Sequence, residues 1–179
     1  MACPTDRDCF TSWTTTTRMP SDCDSFVRQT DAPAPNPTQS TPGPGPSDDQ
    51  CLALPVSDNI YGIPLDSAYS FTTSEAAFNI SNEAPTPIDY KLVFKSKMTS
   101  IKTSAYLGDR TLSIYDPFLC ANECDNIRGC VGFNLFFERD PVLQPGPYCE
   151  NPSAGINIKC TLWGNMLDAS MAVYSGETK

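Results

Sequence analysis

The sequence predicts an α+β fold in which one helix packs on a small, disulfide-bonded antiparallel sheet. The 179 residues include nine cysteines, 17 prolines and 10 glycines but no histidine. Such a composition is typical of extracellular domains in which disulfides reinforce a limited core. Two segments, near positions 90 and 160, alternate apolar and polar residues as half-buried strands do. Between them lies a helix signature with two cysteines on one face.

Residues 1–50 precede this domain and divide into two parts. The segment 1–30 has too few aliphatic side chains for a core of its own, and it contains Cys3, Cys9 and Cys23. Residues 31–50 contain six prolines and no large apolar residue, which is typical of an extended linker. We therefore predict a Cys-containing N-terminal segment, a Pro/Gly/Ser/Thr-rich linker, and a folded domain over residues 51–179.

The first strand of the domain is predicted in IDYKLVFK, residues 88–95. Its apolar side chains at alternate positions are Ile88, Tyr90, Leu92 and Phe94. Successive side chains of a strand point to opposite faces, so this spacing predicts a strand with one buried face.

The helix is predicted between Asp116 and Gly129. Asp116 is a good N-cap, Pro117 suits the first helical position, and glycine is favoured just after a helix end. About three turns fit between these signals. The face that we expect to be buried carries residues at i, i+4 and i+7, namely Cys120, Cys124 and Ile127.

Further strands are predicted after the helix. The segment CVGFNLFF, residues 130–137, has apolar groups on both faces, as a central strand covered on each side does. In INIKCTLW, residues 156–163, one face would carry Ile156, Ile158, Cys160 and Leu162, and the other Asn157, Lys159, Thr161 and Trp163. Residues 171–175 predict a last short strand.

The cysteines fit disulfides better than a metal or redox centre. A helix with Cys120 and Cys124 on its buried face can bridge to neighbouring strands that contain Cys130 and Cys160. Structural zinc needs four Cys or His ligands in closely spaced pairs, and the chain has no histidine and no second close pair. A thioredoxin-like centre needs C-x-x-C, whereas the helix carries C-x3-C. We therefore expect no metal and no cofactor.

The motif C-x3-C-x5-C-x-x-F, followed by FFERDP and KCTLWG, resembles the PAN/apple module found in secreted fungal proteins. The resemblance covers residues 115–164. It implies a helix that is disulfide-bonded across a small antiparallel sheet, with Cys124 paired to Cys130 and Cys120 to Cys160. Cys149 lies outside the basic motif, and we assign Cys51 as its partner. Because the total of nine cysteines is odd, at least one is free, bonded to another chain, or paired with a residue beyond Lys179.

Composition and charge also limit the compartment and the partners. A net charge of −9 makes recognition of nucleic acid improbable. No apolar run approaches the roughly 18 residues that span a bilayer. The start MACPTDRDCF lacks the features of a secretory leader, so the cysteine content favours a mature form whose leader has been removed. The abrupt end after VYSGETK predicts that the chain is part of a longer polypeptide or a processed form. One sequon, at Asn79, predicts glycosylation in a secreted protein.

The candidate site residues lie on the last two long strands. Glu138 and Asp140 flank Arg139, and a strand places both carboxylates on one side, as in a glycosidase pair. The favoured alternative is that Arg139 pairs with its neighbours or caps a loop. Trp163 and Lys159 are candidates for ligand binding together with Glu138 and Arg139. For Trp163 the favoured alternative is that its indole covers the sheet. Further exposed aromatic candidates are Tyr106, Tyr115 and Tyr148.

These observations favour a secreted, non-enzymatic recognition module that binds carbohydrate or protein at a cell wall or surface. Without histidine, Ser-His-Asp and Cys-His catalysis cannot be built. The alternative is a self-assembling extracellular structural protein, a homo-oligomer or polymer in which the N-terminal arm docks on a neighbouring subunit. An enzyme that uses carboxylates alone is a weaker third hypothesis.

Overall fold

A computed structural model describes residues 51–97 and 99–173, and the backbone of residues 12–18. The strands are β1 (Ser12–Arg18), β2 (Tyr90–Lys95), β3 (Ser100–Ile101), β4 (Tyr106–Leu112), β5 (Gly132–Pro141), β6 (Ala154–Trp163) and β7 (Ala172–Val173). The helices are α1 (Ala68–Thr72), α2 (Glu75–Glu83) and α3 (Pro117–Asp125), and a 3-10 turn covers Ala169–Met171. The predicted linker 31–50 lies outside the described residues, as do Cys3, Cys9, Cys23 and residues 174–179.

Five strands form one antiparallel sheet in the order β2-β1-β5-β6-β4, and β3 pairs with β7 separately. The centre of the sheet is the long pair β5–β6, which runs in unbroken register from Gly132 opposite Trp163 to Pro141 opposite Ala154. Helix α3 packs against β4, β5 and β6. The predicted α+β class, with a helix on an antiparallel sheet, is confirmed.

The pair β5–β6 has an apolar face that is buried under α3. Phe133, Leu135 and Phe137 of β5 lie opposite Leu162, Cys160 and Ile158 of β6, and all six are fully buried. The alternation predicted for residues 156–163 is therefore confirmed. Tyr61 and Tyr115 add edge and stacking contacts to Phe137, with ring centroids 5.6 and 4.7 Å away. This face holds most of the described core.

Helix α3 begins where the sequence predicts. The carboxylate of Asp116 accepts a hydrogen bond of 2.8 Å from the Phe118 amide, and Pro117 follows it. The helix ends at Asp125 with Asn126 as its C-cap, two residues before the end that Gly129 indicated as a C′ residue. Two tight turns follow, which bring the chain back so that the Cα atoms of Cys124 and Cys130 are 5.3 Å apart. Gly129 has the positive φ of 85° that this return requires.

Three disulfides join Cys120 to Cys160, Cys124 to Cys130, and Cys51 to Cys149. These are the three pairings that we expected. The first two lie in the core, where they join α3 to β6 and to the start of β5. The third lies near the surface, next to the backbone hydrogen bond from Leu54 to Val142. It joins the beginning of the folded domain to the loop that follows β5.

Helices α1 and α2 were not predicted. They are short, and each begins at a serine N-cap, Ser67 for α1 and Ser74 for α2. Their buried side chains, Phe71 and Ala77, join the core beside α3. The predicted strand 88–95 also starts later than its pattern indicated. Ile88 is exposed and precedes β2, because Asp89 has a φ of 67° that breaks the extended chain.

The N-terminal segment contributes a strand to the sheet, although the sequence indicated a separate unit. The strand β1 pairs with β2 on one side and with β5 on the other. The sheet therefore draws on residues on both sides of the predicted linker. At the other end of the chain, the predicted strand 171–175 is represented by β7, Ala172–Val173, which follows the 3-10 turn.

The two core disulfides should differ in their contribution to stability. Loop-closure entropy gives roughly 3.9 kcal/mol for Cys120–Cys160 and roughly 2.4 kcal/mol for Cys124–Cys130. Their sequence separations are 40 and 6 residues. We expect the double variant Cys120→Ala/Cys160→Ala to lose about 1.5 kcal/mol more unfolding free energy than Cys124→Ala/Cys130→Ala. Denaturant unfolding measures both; each variant removes two buried sulfur atoms, so an equal loss would contradict the loop argument.

Candidate functional site

The face of β4, β5 and β6 opposite α3 carries polar side chains, and we call it the polar sheet face. Its members are Tyr106, Asp109 and Thr111 of β4, Asn134, Glu138 and Asp140 of β5, and Asn157, Lys159, Thr161 and Trp163 of β6. Asn134, Glu138, Asn157 and Thr161 are buried. Buried polar groups are costly unless they are paired. We therefore expect the side chains of this face to serve the structure or to bind a ligand.

Lys159 is the charged centre of the polar sheet face. Its Nζ lies 3.6 Å from Oε2 of Glu138 and 3.9 Å from Oδ2 of Asp109. It also donates a hydrogen bond of 3.1 Å to the hydroxyl of Thr111. The side chain of Lys159 is 20% exposed and that of Glu138 is 11% exposed. The structure thus brings together Lys159 and Glu138, two of the predicted binding residues. Asp109 also lies close to the ammonium group of Lys159.

The two carboxylates of the candidate glycosidase pair have different partners. Glu138 and Asp140 lie on the same face, as predicted, because they are two positions apart on β5. Glu138 forms an ion pair with Lys159. Asp140 accepts a hydrogen bond of 2.8 Å from Asn157, whose amide also donates to the carbonyl of Pro55. Both carboxylates therefore join β5 to β6, and this arrangement favours a structural role.

Arg139 lies on the opposite face, away from the other predicted binding residues. Its Nε and Nη2 donate to the carbonyl oxygen of Leu65 at 3.1 and 3.0 Å. The guanidinium therefore fastens the segment before α1 to the end of β5. A ligand that contacts Lys159 and Glu138 on the polar sheet face would not contact Arg139 as well.

An aromatic pair closes one end of the polar sheet face. The rings of Tyr106 and Trp163 meet edge to face, with centroids 5.6 Å apart. Trp163 is only 7% exposed, which agrees with the favoured alternative of an indole that covers the sheet and not with an exposed indole, whereas Tyr106 is 53% exposed. Within the described part of the chain, the indole Nε1 is buried and has no hydrogen-bond partner. Tyr106 therefore presents the accessible aromatic surface at this end.

The other tyrosine candidates lie elsewhere. Tyr148 is 66% exposed and sits beside Cys149 in the loop between β5 and β6, at the opposite end of these strands from Tyr106. Tyr115 is buried, which corrects the expectation of an exposed ring; it stacks on Phe137, and its hydroxyl donates to the carbonyl of Leu135 at 3.2 Å. Only Tyr106 combines exposure with a position next to Trp163 and Asp109.

The hydroxyl of Tyr106 stays protonated across the physiological range. It donates a hydrogen bond of 2.5 Å to Oδ1 of Asp109. Partial burial, and then this bond and the negative charge of Asp109, raise the pKa of Tyr106 from 10.0 to about 12. The same Asp109 carboxylate faces Lys159 through its other oxygen. Asp109 thus links the aromatic end of the face to its charged centre.

Asn79, the acceptor residue of the sequon, lies on α2. Asn79 itself is exposed, whereas Ser81 is buried and donates to the carbonyl of Phe78. Glycosylation at Asn79 stays a prediction. Among the residues described by the structure, no group of three or more His, Cys, Asp or Glu side chains could hold a metal ion. Within the same ranges, no helix has the length and apolar character to cross a membrane.

Comparisons with protein-family models, with curated proteins and with solved structures found no match to this chain. The resemblance to the PAN/apple module therefore stays a prediction from the residues that carry it.

The ion pair at the centre of the face should be energetically coupled. The Lys159→Met substitution leaves the buried Glu138 carboxylate without its ammonium partner, and we expect a loss of about 1–3 kcal/mol of unfolding free energy. The double variant with Glu138→Gln should lose less than the sum of the two single variants. Denaturant unfolding of all four proteins gives the coupling energy; strict additivity would contradict a direct pair.

The raised pKa of Tyr106 can be measured by titration of ¹³C-labelled tyrosine in the folded protein. We expect a resonance, absent in Tyr106→Phe, with a midpoint near pH 12, and a lower midpoint in Asp109→Asn. Because the folded-state pKa exceeds the ordinary value of 10.0, the contribution to stability is complete below pH 10 and disappears as pH rises towards 12. A midpoint unchanged by Asp109→Asn would contradict the hydrogen bond.

Proposed function

We propose that the chain is a secreted, non-enzymatic recognition module of the PAN/apple-like type, which binds carbohydrate at a cell wall or cell surface. The observation that carries this proposal is the exposed ring of Tyr106, backed by Trp163 and bonded to Asp109 at the edge of the polar sheet face. An aromatic ring offers a large, rigid apolar surface next to a polar tip. Sugars, whose rings have apolar faces and polar rims, suit such a surface.

The groups beside Tyr106 complete a surface suited to hydroxyl-rich ligands. Asp109 accepts hydrogen bonds, Lys159 donates them, and Thr111 can do either. Tyr106 and Thr111 of β4 lie opposite Trp163 and Lys159, which are four residues apart on β6, so the row is about 14 Å long. A row of that length favours an extended ligand over a single small molecule. Binding sites commonly combine such an apolar platform with a few polar groups that set orientation.

The same residues support a binding role over catalysis. The chain has no histidine to act as a near-neutral base. The carboxylates of Glu138 and Asp140 are each bonded to a neighbouring strand through Lys159 and Asn157. A glycosidase needs one acid with a raised pKa and a second carboxylate across the scissile bond. The engagement of both carboxylates within the sheet favours a rigid surface.

The proposed extracellular location rests on the disulfides. Three disulfides join the described residues, and two of them lie in the core. Such bonds persist in oxidising compartments, and small secreted domains depend on them. The PAN/apple-like resemblance over residues 115–164 favours the same location.

A direct test uses binding to a glycan array and to insoluble cell-wall polysaccharides, followed by titration calorimetry of any ligand found. We expect Tyr106→Ala to weaken binding by tenfold or more, which corresponds to about 1.4 kcal/mol. The matched control is Tyr148→Ala, because Tyr148 is also exposed and lies in the β5–β6 loop, at the opposite end of these strands from Tyr106. Control binding should equal that of the wild type.

Two results would contradict the proposal. If Tyr148→Ala weakened binding as much as Tyr106→Ala, the site would lie elsewhere. If every glycan failed to bind while a purified extracellular protein bound and was lost with Tyr106→Ala, the face would recognise protein.

A further inference from the structure

The strand β1 occupies the position between β2 and β5 in the sheet, which we call the slot. It pairs antiparallel with β2 through residues 14–18 and with β5 through residues 12–17. It is the only sheet neighbour of β2, which lies at the edge. Without β1, both β2 and β5 would present unpaired backbone donors and acceptors. Such edges recruit extended chains.

Arg18 and Cys51, the residues on either side of the segment 19–50, lie near opposite ends of β5. Arg18 pairs with Tyr90 of β2, and Thr17 next to it pairs with Gly132, the first residue of β5. Cys51 is bonded to Cys149, beyond the last residue of β5. The ten residues of β5 span about 30 Å. A connection within one copy therefore has to cover roughly that length.

The intervening 32 residues are longer than this connection requires. Fully extended, they could reach about 110 Å. The 20 residues from 31 to 50 contain six prolines, and a proline-rich chain of that length extends to about 60 Å. Residues 19–50 are therefore long enough for the connection within one copy and also for a connection to a neighbouring copy. A second copy of the sheet lies within that reach.

We propose that Ser12–Arg18 of one copy occupies the slot between β2 and β5 of a second copy, in the same register that the structure shows. The copies then assemble by exchange of β1. Reciprocal exchange produces a closed dimer, whereas donation in one direction produces a chain of subunits. This assembly goes beyond the proposed recognition function and does not depend on it.

The cysteine count agrees with exchange between copies. Six of the nine cysteines form disulfides in the described domain, and the remaining three are Cys3, Cys9 and Cys23. They lie on both sides of β1 in the sequence, and three cysteines cannot all pair with one another. Donation of β1 carries them to the neighbouring subunit, where a disulfide between chains can hold the exchanged strand.

The first test is the molar mass of the full chain, measured without reductant by size-exclusion chromatography with light scattering. We expect the wild type to have at least twice the chain mass of 19.5 kDa. The Thr15→Pro variant should fall to a single chain mass, because proline removes an amide donor and is excluded from interior strands. The matched control is Thr15→Val, which keeps a β-branched strand residue and should remain assembled.

The second test uses two differently tagged copies expressed together. Tagged Thr15→Pro retains the slot but lacks a usable strand, so it should capture wild-type copies and should not capture a second Thr15→Pro copy. Wild-type copies with different tags should co-purify, whether or not Thr15→Pro folds alone. A single-chain mass for the wild type, or an unchanged mass for Thr15→Pro, would overturn the exchange. Ligand binding through Tyr106 is measured on the same samples, so failure of either proposal is seen separately.

Discussion

The disulfide between Cys120 and Cys160 is the constraint on which the rest of the structure depends. Helix α3 is nine residues long, and its buried side chains, Pro117, Cys120, Ala121 and Cys124, are small. Burial of so little apolar area contributes few kcal/mol. The bond to β6 places the helix on one face of the sheet, and Cys124–Cys130 fixes the turn that returns the chain to β5. Covalent bonds thus replace much of the packing that a larger helix would supply.

Because α3 covers one face of the sheet, the opposite face is left for polar side chains. Most apolar residues of β5 and β6 face α3, and apart from Phe136 and Trp163 the larger side chains at the alternate positions are polar. Those side chains pair with one another across strands, as Lys159 does with Glu138 and Asn157 with Asp140. The result is a rigid polar surface with Tyr106 exposed at its edge. Rigid, pre-organised surfaces bind at a lower entropic cost than mobile ones.

The sequence predicted those elements whose formation depends on residues that are close together in the chain. The N-cap at Asp116, the alternation in β6 and the period of the helix cysteines each depend on a few neighbouring residues. The misses involve contacts between distant segments. Nothing in the TTTT run near residue 15 shows which strands it joins. The pairing of β4 with β6 determines that Tyr106 is exposed and that Trp163 is buried. Short helices such as α1 carry too few residues for a clear period.

The central claim is that one sheet face is structural and the other recognises a ligand. Its most direct test is an NMR titration of the ¹⁵N-labelled protein with soluble cell-wall oligosaccharides. The account predicts that the largest amide shifts occur at Tyr106, Asp109 and Lys159, with little change in α3. Shifts centred on α3, or on the loop that contains Cys149, would contradict it and would place recognition on another surface.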